Sequence, residues 1–252
     1  MVSNSNSGET KTKDGSDKSN QSHTWRYFMS HKQSTGEQQV TMIVKSLNES
    51  SNCRNTPHEA WVDWDKRVNP NISGMMDGVR DSNMFLLFLS NDVTESYFVR
   101  LELEEAIRLG KDIITVEERR DDQEHKHLKF NGWNGAYTPW YAKLFRHHFT
   151  SIRYEWKGER NKTMVESIQS KFNGNRQDSK EFYKELKKDV MYPKVLEFVE
   201  NEMQLAYPKS MLVANDLRIF LGDGGCTLGD LQHMNDIKVG DMLKKFRIKD
   251  FD

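Results

Sequence analysis

Cysteine is nearly absent. Cys53 and Cys226 are the only two, and they stand far apart with no metal-ligand spacing. A disulfide scaffold and a zinc site are therefore not expected, and a reducing cytoplasm is the expected location. Apolar runs of the roughly 20 residues that a membrane span needs are missing too. The N-terminus is rich in Ser, Asn and Lys and has no apolar h-region, so no signal peptide is expected. Charge of one sign is also lacking: 37 Lys and Arg face 38 Asp and Glu, a net charge of −1. That balance gives no electrostatic reason for nucleic acid or an anionic membrane as the main partner.

What the chain does have is polarity, unevenly spread. Charged residues make up 30% of its 252 residues, and the mean hydropathy of −0.83 is low for a fully globular chain. Residues 1–23 carry almost no large apolar side chain and are expected to form a disordered tail. From Thr24 the texture changes. TWRYFMSH (24–31) is a candidate strand. Val40, Ile43, Val44 and Leu47 share one helical face. EAWVDW (59–64) gives a second strand, and Ile72, Met75, Met76 and Val79 a second helix. NMFLLFLS (83–90) is an unbroken apolar run of strand length, as a central parallel strand covered on both faces requires. A helix over 94–109 stops at Gly110, and DIITVE (112–117) is a fourth strand. Residues 118–135 have the composition of a long charged loop, and 138–148 that of a short helix. FTSIRYE (149–155) completes five strands, followed by a helix over 159–172.

Alternating strands and helices predict an α/β fold, a parallel sheet wrapped by helices. For five strands the flavodoxin-like order 2-1-3-4-5 is the usual solution, with ligands at the carboxyl ends of the strands. That edge carries Ser30 and His31, then Trp64–Asn71, then Ser90–Ser96. A phospho-accepting receiver domain of the same sheet order needs an acidic pair after the first strand and an Asp after the third. Ser30-His31 and Ser90 occupy those places, which sets that reading aside. The domain is expected over 24–172 and a charged helical linker over 173–210, most of it one long helix (179–206) that Pro193 would kink. Residues 211–252 are expected to form a small helical unit.

The ordered set of segments resembles the Toll/interleukin-1 receptor (TIR) domain family over about 150 residues. YFMSHK (27–32) is similar to its first box, a hydrophobic strand ending in Ser and a polar or basic residue. WVDWD (61–65) with ISGMMDGVRDSNMFLLFLS (72–90) is similar to the second box and its sequel. SYFVRLELEEAIRLGK (96–111) resembles the helix in which Ser precedes a Glu-Leu pair by six positions, here Ser96 and Glu102-Leu103. HKQSTGEQQ (31–39) and RYEWKGERNKTM (153–164) are closest in texture to TIR proteins of unicellular eukaryotes. Phe98 stands where many enzymatic TIR domains have Trp, and the loop tip lacks a Pro, although Pro70 is near. Residues 216–252 resemble the start of a sterile alpha motif (SAM) domain, with short helices around Ile219–Leu221, Leu228–Leu231 and Met242–Phe246 and no long last helix.

The resemblance implies cleavage of the nicotinamide–ribose bond of NAD⁺, an NAD⁺ nucleosidase acting in intracellular signalling or defence, with Glu102 as the catalytic carboxylate. NAD⁺ is then the substrate, with no cofactor and no metal. Self-association through the TIR domain and contact with other TIR proteins are the implied partnerships, the 64–71 loop being the expected contact. The residues fit this chemistry. Nicotinamide leaves neutral, so one carboxylate suffices where ordinary glycosidases need two. Phe98 lies one helical turn before Glu102 and can stack on a substrate ring. Glu104 has Arg108 four positions on as a partner; Glu102 has Phe98 and Ala106 at those positions, so no helical ion pair explains it. Ser30 and His31 are candidate hydrogen-bonding residues for substrate, and Trp64 and Arg67 candidate contacts from the loop, Arg67 to pyrophosphate. The ordinary alternatives are a solvated Glu102, a Ser30 that satisfies a strand-end backbone group, and solvated loop charges. His147 and His148 are adjacent and share no face, so they are assigned no metal. A TIR adaptor that signals only by TIR–TIR association is the competing reading.

Overall fold

A computed structural model describes residues 25–50, 60–62, 71–120, 122–133, 139, 141–173, 177–188, 191–201, 203–206 and 209–224. Five parallel strands form one sheet in the order β2-β1-β3-β4-β5. They are β1 (Trp25–Ser30), β2 (Ala60–Trp61), β3 (Ser82–Leu89), β4 (Asp112–Glu117) and β5 (Ile152–Arg153). The expected order is thus the observed one. β3 lies at the centre, pairing Ser30↔Leu87 with β1 and Leu87↔Thr115 with β4.

The period of two along β3 divides the core. Phe85, Leu87 and Leu89 face one side; Met84, Leu86 and Phe88 face the other. All six are buried, each removal from water contributing about 1.5–3 kcal/mol. The second side is covered by α1 (Gln33–Ser50) and α5 (Gly158–Asn173), through Val40, Ile43, Leu47, Val165 and Ile168. The first side is covered by α2 (Ile72–Asp81), α3 (Tyr97–Arg108) and α4 (Ala142–His148). Asn71 caps α2 by accepting from Gly74 N at 2.8 Å, and Gly110 ends the turn after α3 with φ +63°.

The C-terminal third differs from its expected form. The long helix of 179–206 is two helices, α6 (Gln177–Leu186) and α7 (Met191–Asn201). Pro193 sits in the first turn of α7, where its missing N–H costs nothing, so it does not kink a continuing helix. α6 packs on the core. Phe182 is fully buried against Phe145 and Phe149, and the Tyr183 hydroxyl donates to Lys111 O at 2.7 Å. An aromatic pair of that size is more stable on the core than in water. α8 (Lys209–Gly224) packs on α7 and α3, with every residue from Ser210 to Leu217 buried. The expected short helix at Ile219–Leu221 is part of α8. Those at Leu228–Leu231 and Met242–Phe246, like the expected tail of 1–23, lie outside the described residues. Among the described residues no helix is long and apolar enough to cross a membrane.

Candidate active site

The chain order reverses between β1 and β3, and in an open α/β sheet that switch point leaves a crevice at the carboxyl edge. A cleft of about 560 Å³ lies there, within the range typical of small-molecule sites. The start of α1 and the residue before it supply Lys32, Gln33, Ser34 and Glu37 to its wall, and α3 supplies Phe98 and Glu102.

Each wall is placed by local chemistry. Ser96 begins α3 as its N-cap, the side chain accepting from Val99 N at 3.5 Å. The start of α1 is tied to the end of β3: Thr35 and Ser90 hydroxyls lie 2.8 Å apart, and Thr35 Oγ1 donates to Asn91 O at 3.1 Å. The floor is aromatic. Trp61 stacks on Phe28 at 4.6 Å, and Phe28 on Phe85 at 5.6 Å. Gly78 of α2 lets that helix close on the Trp61 ring: a Cβ there would stand 2.7 Å from two ring atoms. Phe98 is 49% exposed and stands at the rim.

Glu102 is only 6% exposed although it lines this cleft. Ser30 Oγ donates to its Oε2 at 2.6 Å, across 72 residues of sequence. Period-two alternation explains the meeting. Ser30 projects on the same side of the sheet as Phe28, the side covered by α2 and α3. His31, Phe98 and Glu102 line this cleft; Ser30 is 1% exposed, is not part of the cleft wall, and meets Glu102. Trp64 and Arg67 lie outside the described residues.

The expected Glu104–Arg108 pair is absent from this helix. Arg108 instead holds Glu105 at 2.6 and 2.9 Å, and Arg80 of α2 holds the same carboxylate at 3.0 Å. Glu104 turns under α7 and α8. Burial pushes its carboxyl up to about 8, against the opposing pull of Arg100 and of the Tyr141 and Tyr192 hydroxyls. The Tyr192 hydroxyl stands 3.4 Å from Glu104 Oε2, and Arg100 pairs with Asp216 of α8 at 2.9 Å. Successive residues turn 100° about the axis, so positions 102, 104 and 105 must point three ways. Nothing in the sequence marks which of them the C-terminal helices cover.

Trp61, Lys32 and Glu37 were not singled out from the sequence. Trp61 ends β2 in register with Phe28, a placement that only the strand pairing reveals. His147 is exposed, and His148 Nε2 lies 3.4 Å from Glu185 Oε2. Among the described residues one trio has metal-ligand spacing, Asp122, Glu124 and His125, and none of the three lines the cleft. No protein-family model matches the chain, and no curated protein does.

Proposed function

We propose that this chain is a TIR-type NAD⁺ nucleosidase with Glu102 as its catalytic carboxylate, acting in intracellular signalling or defence. One observation carries the reading. A nearly buried glutamate, oriented by a buried hydroxyl, lines a ligand-sized cleft at the switch point of the sheet.

The reaction asks little more of the protein. The bond between ribose C1′ and the pyridinium nitrogen breaks, and its electron pair leaves with nicotinamide, which departs neutral. No proton has to be supplied to the leaving group, so no second carboxylic acid is needed. Positive charge grows on the ribose, and a fixed carboxylate of low exposure stabilises it more strongly than water can. Water then adds to C1′ and loses a proton, giving ADP-ribose; attack by a nucleophilic atom of the same molecule gives a cyclic product. Phe98 at the rim offers an aromatic face to a planar ring. Lys32 in the wall offers a cation to pyrophosphate.

The test is incubation of the purified chain with NAD⁺, with the products resolved. Release of free nicotinamide supports the reading, and unchanged NAD⁺ refutes it. One observation favours the association-only alternative. Tyr97 and Phe98 are both exposed and stand edge to face at 5.4 Å, a pair of the kind that interfaces cover.

A further inference from the structure

We propose that Ser30 is a positioning residue for Glu102: its hydroxyl fixes the carboxylate and keeps it ionised, and it makes no contact with substrate. The inference rests on the reading of Glu102 as the catalytic carboxylate.

The hydroxyl is well placed for this. Ser30 is the last residue of β1 and pairs with Leu87 of the central strand, so the sheet fixes its backbone. Its donation to Glu102 Oε2 at 2.6 Å has the length of a charge-assisted bond. Both ends are shielded, at 1% and 6% exposure, so water competes weakly for either. A free glutamate side chain has three rotors, and ordering it costs about 1.5–2 kcal/mol. A carboxylate already held by Ser30 need not be ordered as the transition state forms. A donor to the charged form also favours that form over the protonated one. A substrate-binding role fits less well, because the hydroxyl is directed at Glu102 and Ser30 is not part of the cleft wall.

The experiment compares the full chain with Ser30→Ala and Ser30→Cys. Cysteine has nearly the same volume but donates weakly, so it should fall between parent and alanine. Melting curves verify folding, and if alanine melts too low to assay, cysteine carries the same expectations in reduced size. The expected result has three parts. Turnover (kcat) falls by about tenfold to a hundredfold in Ser30→Ala, the usual loss when a supporting partner is removed. KM for NAD⁺ stays within about twofold. His31, Lys32 and Glu37 line the same cleft and are unchanged by the substitution, so the acid limb of the kcat/KM profile moves to higher pH, because a carboxylate without its donor keeps its proton longer. A purely structural serine would leave that limb in place. Unchanged kcat, or a rise in KM alone, overturns the proposal.

A second measurement separates this proposal from the functional reading beneath it. The Glu102 carboxyl carbon is followed by NMR through a pH titration in the parent and in Ser30→Ala. Its midpoint should move to higher pH in the variant, whether or not NAD⁺ is turned over. An unmoved midpoint overturns the role of Ser30 even if the enzyme is active. A shifted midpoint in a chain that leaves NAD⁺ intact overturns the enzymatic reading instead.

Discussion

Glutamates 102, 104 and 105 of α3 occupy three unlike environments. Glu102 takes a hydroxyl from β1, Glu105 takes two arginines, and Glu104 is buried beneath α7 and α8. The helical repeat makes the divergence inevitable, but which direction leads to water and which to protein is decided by tertiary packing. That is why only part of this was legible. The absence of an i,i+4 partner for Glu102 could be read from Phe98 and Ala106. The choice of Arg108 between Glu104 and Glu105 could not, because both spacings bring side chains together. Glu104 has a measurable consequence. Burial holds its carboxyl at about 8 in the folded state against an ordinary value of 4.5, so between those limits the folded state holds a proton that the unfolded chain releases. Stability is therefore greatest below the lower limit and falls as pH rises towards the upper one. Arg100, Asp216, Tyr141 and Tyr192 face this carboxyl, and none of them is altered by Glu104→Gln. That substitution should be nearly neutral at pH 5 and stabilising by on the order of 2 kcal/mol or more at pH 8. Melting temperatures of both forms across pH 5–8 check it. Parallel curves would mean that Glu104 ionises freely.

At the scale of elements, the strands were more legible than the C-terminal helices. The unbroken run of Met84–Leu89 has the length and composition of a strand covered on both faces, and it forms the centre of the sheet. Residues 173–210 are charged enough to pass for a linker, yet Phe182 and Tyr183 dock α6 onto the core. A few anchoring aromatics are easily outweighed by charge in a composition argument. α2 and β2 make a sharper test, because they set the floor of the cleft. Gly78→Ala would place a methyl 2.7 Å from the Trp61 ring, which is itself stacked on Phe28. The ring or the helix must yield, at a cost of about 1–3 kcal/mol. A lower melting temperature and a changed intrinsic tryptophan spectrum are expected. If NAD⁺ is the substrate, its KM should also rise. A variant that melts like the parent would show that α2 is not closely seated on Trp61.

For the whole molecule, five strands alternating with helices left few topologies, and the sheet adopted the commonest. The site was legible where it lies at strand ends and on α3. It was not legible in Trp61 and Lys32, which belong to it only because β2 and α1 converge there. The cleft remains open at a rim carrying Phe98, and self-association through this domain, which the family resemblance implies, would place a neighbouring chain over it. NAD⁺ cleavage should then rise more steeply than in proportion to protein concentration, and strict proportionality down to dilute protein would exclude such assembly. The central claim is tested most directly by NAD⁺ turnover of Glu102→Gln beside the parent. Glu49→Gln, an exposed carboxylate at the far end of α1, serves as control. The account predicts at least about a hundredfold loss for Glu102→Gln, roughly 3 kcal/mol of transition-state stabilisation, with a folded protein and an unaffected control. Turnover equal to the parent's would contradict it.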